Sequence, residues 1–184
     1  NVGEAAIASI LACRKDRGSL GSLFTLCEDV DLRLVNKRVL ESLIKAGAFD
    51  SSLALGKGSR TTGLRAQLFA SVDRALEHGN RIQRDREQGQ AQLFDTSSDD
   101  TSSEVAPWSE SEQLNYEKEA LGLYLSGHPI DRYRDQLAAA GAIALNALSN
   151  SESNILVGGI VSGYRHITTK QGAAMAVVTL EDGV

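Results

Sequence analysis

Two cysteines and three histidines in 184 residues leave little material for a metal centre or a disulfide framework. Cys13 and Cys27 have no Cys-x-x-Cys partner and lie on otherwise apolar helical faces, so they read as buried free thiols. His78, His128 and His166 are too scattered to make a ligand set, and no metal is expected. No apolar run approaches the ~18 residues that a membrane-spanning helix requires, and no membrane partner is expected. The first residue is Asn1 rather than Met, and no charged-then-apolar leader follows it. That start reads as a cytoplasmic segment cut from a longer protein.

What is present suits a protein folded in pieces. A content of 42% hydrophobic and 23% charged residues is ordinary for globular domains and supports one sizeable core or two small ones. The net charge of -5 conceals an asymmetry: residues 1–92 hold 14 Lys and Arg against 11 Asp and Glu, while residues 93–184 hold 5 against 13. A mildly basic front half permits phosphate binding without demanding it, and a solvated surface of mixed charge explains it equally.

The periodicity changes along the chain. Residues 3–16 read as a helix with Ile7, Ile10 and Leu11 on one face, ended at Gly18 after "RKDR" places cations near its carbonyl end. A short helix over 22–28 follows, with Leu23, Phe24 and Cys27 inward. Asn36 then caps a third helix striped by Val39, Leu40, Leu43 and Ile44, and Gly47 is placed to end it in the left-handed conformation. After the flexible "SSLALGKGSRTT", a helix begins near Thr62 and runs on through "RIQRDREQ", frayed at Gly79 and Asn80. The run "DTSSDDTSSE" over 95–104 has no apolar anchor and is expected to be disordered. Ser109 and Glu112 stand in capping-box relation and open a helix to about Leu121. Gly127 and Pro129 precede another helix over 131–140, closed by Gly141. From about Asn154 the pattern alternates, with Gly172 in a turn, and reads as a two-stranded hairpin that begins a β domain.

The letters AQLF occur twice, and their surroundings differ. In the first copy, Leu64, Leu68, Phe69, Val72 and Leu76 recur at helical spacing, so its Leu and Phe belong to a core. The second copy, within "QAQLF" at Gln90, Ala91, Gln92, Leu93 and Phe94, follows Gly89 and precedes the Ser/Thr/Asp run. A glutamine with an apolar pair suits a short peptide motif that docks on a partner, but taken alone these five residues are read first as a latch folding back on its own domain. "NVGEAAIASI" at the start resembles the second half of a helix-hairpin-helix motif. There the backbone around Val2, Gly3 and Glu4 would present N–H groups and a helix dipole to phosphate, though an ordinary helix start explains the same letters. "VNKRVLESLIKAGAFD" is a second candidate hairpin with Lys37, Arg38 and Lys45 nearby, and a structural αα-turn is the favoured reading there.

No active site is legible. Asp99 and Asp100 are adjacent carboxylates in a run unfit to hold metals precisely. Ser126, His128 and Asp131 contain the letters of a triad but lie within one local turn without a nucleophile elbow.

Taken in order, "VGEAAIASIL", "LVNKRVLESLIKAGAFD", "RAQLF", "QAQLF", "EKEALGLYLSGHPID" and "ILVGGIVSGYRHITTKQGAAMAVVTLEDG" resemble the C-terminal part of the C-family replicative polymerases, the bacterial DNA polymerase III alpha subunits. The resemblance implies a mainly α fold of helix-hairpin-helix type followed by the first strands of a truncated oligonucleotide-binding (OB) β-barrel. It divides the chain into a DNA-binding helical region over 1–88, a clamp-binding linker over 89–106, a helical connector over 107–150 and the barrel start over 151–184. It implies duplex DNA, a sliding clamp and other replisome subunits as partners, with Gln90 to Phe94 as the clamp motif. Nucleotidyl transfer, with its magnesium and paired aspartates, would belong to the parent polymerase upstream, with no cofactor in this stretch. Two alternatives stay open: a non-enzymatic helix-hairpin-helix module of a repair protein, and an error-prone paralogue of the polymerase.

Overall fold

Helices make up most of the described residues before 125, and their boundaries follow from local capping chemistry. A computed structural model describes residues 2–51, 63–89, 105–148 and 154–183. Asn1, the Gly/Ser-rich stretch at 52–62 and the stretch at 90–104, with the docking motif and the Asp99–Asp100 pair, lie outside the described residues. Two compact units divide at Tyr124 and Leu125, inside the stretch read from sequence as one connector.

In the first unit, α1 (Glu4–Arg17) ends at Gly18 with φ 76°. Its inward face is Ala6, Ile10 and Cys13, whereas Ile7 and Leu11 are exposed. The expected face is therefore rotated: Ile10 is shared, but the two smaller side chains let α1 lie close to its neighbours. Helix α2 (Leu23–Asp29) starts with a reciprocal box in which Ser22 and Thr25 each satisfy the other's backbone N–H. It buries Leu23, Leu26 and Cys27, with Phe24 only partly covered. Helix α3 (Lys37–Lys45) is capped by the Asn36 side chain, which accepts from the Val39 N–H at 3.2 Å, and Gly47 follows at φ 73°. Helix α4 (Leu64–Glu87) is the long element and runs unbroken through Gly79 and Asn80, where fraying was expected. Gly79 is where α2 comes close: a Cβ there would overlap the Cys27 carbonyl. The glycine serves close packing rather than disorder. Helix α5 (Glu110–Leu121) carries the Ser109–Glu112 box and ends at Gly122, φ 80°.

One core joins these helices through Leu26, Val30, Val35, Leu40, Ile44 and Val72, among others. Polar groups tie α4 to the carbonyl end of α2, where orphan acceptors would otherwise be left. Gln83 Nε2 donates to the Cys27 and Val30 carbonyls at 2.9 Å, and Arg86 Nη1 donates to the Glu28 carbonyl at 3.1 Å.

In the second unit the expected helix over 131–140 is shorter and tighter at its start. A single 3-10 turn covers Asp131–Tyr133 before α6 (Arg134–Ala139), and Gly141 follows at φ 75°. Strands β1 (Ile160–Thr168) and β2 (Ala174–Glu181) pair antiparallel, Tyr164 opposite Val178 and Ile167 opposite Met175, with an irregularity between Val161 and Gly163. Their base is fastened to the helical part of this unit: Leu145 N–H donates to Asp182 Oδ2 at 2.7 Å, and Ile143 N–H to the Leu156 carbonyl at 3.0 Å. The fold class is thus mainly helical, with a two-stranded antiparallel sheet consistent with the opening strands of an OB-type barrel. Among the described residues no helix is long and apolar enough to cross a membrane.

Candidate nucleic-acid interface

Helix α1 opens without a side-chain cap. Gly3 is its N-cap in an extended conformation, φ -77° and ψ 151°, and its carbonyl accepts from the Ala6 and Ile7 amides at 3.1 and 3.2 Å. The amides ahead of Ala6 have no carbonyl within the helix to bond, as at every helix start. Val2 leans on the core and Glu4 is exposed in the first turn. A Cβ on Gly3 would meet nothing within 4 Å, and its φ is open to any residue. Beyond the ordinary preference for glycine over alanine at an N-cap, nothing among the described residues requires the bare backbone here. Close approach of an outside group would.

Helix α3 opens differently. Asn36 occupies the Val39 amide, which leaves the first-turn side chains Lys37 and Arg38 pointing at solvent. Arg38 makes no ion pair with another described residue. Lys37 does: both Asp73 carboxylate oxygens lie 2.8 Å from its ammonium, and Glu41 Oε1 lies at 3.9 Å. The hydrogen bond to Asp73 pushes the Lys37 pKa up from its ordinary value.

Lys45, at the other end of α3, is committed inward. Its Nζ is 2.9 Å from both Glu119 oxygens and sits 4.8 Å from the Tyr116 ring centroid and 5.7 Å from that of Phe69. Trp108 completes the aromatic group, 4.5 Å from Tyr116 and edge-on to Phe69 at 5.6 Å. Such a cation over ring faces, with its own carboxylate, fastens α3 to α5. Behind it stands an interaction that sequence reasoning missed. Arg65 Nη1 donates to Glu117 Oε1 at 2.7 Å, while its Nε and Nη2 donate to Asp50 at 3.0 and 2.6 Å. Glu117 is fully buried. The signal was there: Glu117 falls on the same helical stripe as Leu114, and a carboxylate on an inward face implies a buried cation. The turn at Gly47 is shaped by the same guanidinium, since a Cβ on Gly47 would collide with it.

The two AQLF copies part company in space as well. In the first, Ala66 and Leu68 are buried and Phe69 joins the aromatic group, as a core segment should. Gln90, Ala91, Gln92, Leu93 and Phe94 lie outside the described residues; the last described turn before them is Gln88 and Gly89, the latter at φ 64°.

Two of the three triad letters, His128 and Asp131, share a local cap. His128 N–H donates to Asp131 Oδ2 at 2.7 Å, Arg134 Nε donates to Oδ1 at 2.7 Å, and the His128 Nδ1 accepts from the Ile130 amide at 3.3 Å. The His128 amide and Arg134 hold the Asp131 carboxyl below its ordinary range. Among the described residues no group of three or more His, Cys, Asp or Glu side chains is placed to hold a metal ion.

Comparison with known proteins bears on this site directly. The family described as "Helix-hairpin-helix motif" matches residues 1–61, which include α1 to α3. Over 98% of its length the chain is similar to the DNA polymerase III subunit alpha of Vibrio cholerae, 36% identical over 189 residues. The same subunit of Pasteurella multocida is 37% identical over 189 residues and that of Escherichia coli K12 33% over 190, each again across 98% of the chain. The matched stretch is 16% of each relative, so the chain spans a small part of the proteins it resembles.

Proposed function

The chain is homologous over 98% of its length to DNA polymerase III alpha subunits, and from that premise we propose that it is the part of a replicative DNA polymerase that holds duplex DNA and ties the enzyme to a sliding clamp. The observation that carries the DNA-binding half is the helix-hairpin-helix match over 1–61, laid on a helix start that has no side-chain cap and whose glycine faces open space among the described residues. In this reading the amides around Val2, Gly3 and Glu4 receive one phosphate, and Lys37 with Arg38 receive another at the start of α3. Lys45 braces α3 from within and acts on DNA through that placement. The Glu4 carboxylate shares the helix start with the incoming anion, so the contact is weak by design of the sequence.

Clamp attachment falls to Gln90, Ala91, Gln92, Leu93 and Phe94, with Leu93 and Phe94 filling an apolar pocket of the ring. The hairpin of the second unit would open an oligonucleotide-binding barrel facing single-stranded template. Magnesium-dependent nucleotidyl transfer belongs to the remainder of such a polymerase, as do contacts with other replisome subunits.

Two binding measurements on the 184-residue chain test this. Fluorescence anisotropy should report duplex binding that falls by about tenfold or more when salt rises from about 50 to 200 mM. Co-elution with a purified bacterial sliding clamp should be lost when Leu93 and Phe94 are both changed to Ala. Clamp binding that survives the double change removes the tether, and duplex binding with indifference to the clamp would favour a repair-type DNA-binding module instead.

A further inference from the structure

The proposed phosphate contact at Lys37 already holds a carboxylate. Asp73 belongs to α4, far from Lys37 in sequence, yet it takes the ammonium with both oxygens at 2.8 Å, while the helical neighbour Glu41 stays at 3.9 Å. The two side chains are 52% and 72% exposed, so neither depends on the other for burial and the pair contributes little to folding. Lys45 makes the useful contrast. Its side chain is 15% exposed and is held by rings as well as by Glu119, which makes that pair a fixed brace. The Lys37 pair is open to solvent on both sides and exchangeable.

We propose that Asp73 sets the affinity of the duplex contact by competing with DNA phosphate for the Lys37 ammonium. The inference rests on the assignment of Lys37 to phosphate binding. With Asp73 in place, an arriving phosphate displaces a tethered carboxylate instead of a free counterion, and the released carboxylate is left facing DNA. Both effects weaken the grip and flatten its dependence on salt. A chain that must move along DNA gains from a contact that is made and broken easily. Arg38, next to Lys37 and without such a partner among the described residues, supplies the unregulated part of the same contact.

The test is a double-mutant cycle on the full 184-residue chain, read by anisotropy with a labelled duplex over a salt series. Asp73→Asn should tighten binding by roughly two- to fivefold near 0.1 M salt and steepen the salt slope by up to about one. In a Lys37→Ala background the same change should give a clearly smaller gain, the part that comes from relief of repulsion alone. Thermal melting of all four proteins checks that each is folded, and Asp73→Ser replaces Asn should the amide disturb α4. No tightening on removing the carboxylate overturns the proposal. So does a gain that persists undiminished without Lys37, because that would mark plain repulsion between Asp73 and DNA. If Lys37→Ala changes affinity in neither background, the assignment of Lys37 to phosphate has failed, and the proposal falls with it.

Discussion

Glu117 has no exposed surface, and its oxygen lies 2.7 Å from a guanidinium that is itself mostly covered and is also held by Asp50, so the buried carboxylate and its cation are strongly coupled. Arg65→Met should therefore lower the unfolding free energy by about 3–5 kcal/mol in urea titrations, since it takes the cation away from a buried carboxylate. Asp50, which is partly exposed, can rehydrate. The double change Arg65→Met with Glu117→Met should recover much of the loss, because two apolar side chains need no partner. A second residue-scale expectation concerns Cys27, whose thiol is pushed up to about 12, first by burial and then by the neighbouring Glu28. An unfolded cysteine titrates near ~8.5, so the folded value lies above the unfolded one. The stability tied to the neutral thiol is then complete below ~8.5 and is lost as pH rises toward the folded value, by about 1.4 kcal/mol per unit inside that window. Urea midpoints should fall between pH 8 and 10, and fall less in Cys27→Ala. Native Cys27 should also resist thiol reagents at pH 8 and react once the chain is unfolded.

At the scale of elements, the contact between α2 and α4 is governed by one missing methyl group. In an exposed helix interior Gly→Ala stabilises by about 1 kcal/mol. Gly79→Ala should do the opposite, with a net loss of about 1–2 kcal/mol and a lower melting temperature, because its Cβ would meet the Cys27 carbonyl and overpacking outweighs propensity. Gly3→Ala is the matched control: its Cβ meets no described atom, so melting should fall only by the small cost of alanine at an N-cap while duplex affinity falls. What was readable in the sequence divides along the same line. Caps are local, so Asn36, Gly47, the Ser109–Glu112 box and the turn at Gly172 could all be placed from neighbouring letters. The inward face of α1 could not, because Ile7 and Leu11 fit the helical period as well as Ala6 and Cys13, and only the approach of other helices chooses between them. Gly79 misled for the same reason: a glycine that permits packing and one that weakens a helix look alike in one dimension. Lys45 was legible as a cation near a turn, whereas its carboxylate and rings come from α4 and from 108–119 and are brought to it only by folding.

For the whole molecule, the balance of charge limits how firmly DNA can be held. The front half has a small excess of cations, two of the three cations singled out for phosphate contact, Lys37 and Lys45, are paired with carboxylates, and the chain as a whole carries -5. Counterion release from a few such contacts gives binding that is weak to begin with and is lost as salt rises. The docking proposed for Gln90 to Phe94 on a ring that encircles the same DNA would change this, because the second contact would then form at an effective concentration in the millimolar range rather than from bulk solution. Raising salt from about 50 to 200 mM should therefore strip the chain from naked duplex yet leave it on circular duplex carrying a loaded clamp. Leu93→Ala with Phe94→Ala should make the two substrates equivalent, both lost at the higher salt. Lys37→Ala with Arg38→Ala should instead weaken naked-duplex binding most and clamp-loaded binding least, since the tether supplies what the phosphate contacts no longer do. Surface plasmon resonance on the two immobilised DNAs separates these patterns. If the clamp-loaded DNA showed no retention at high salt even for the unaltered chain, the two contacts would not act together.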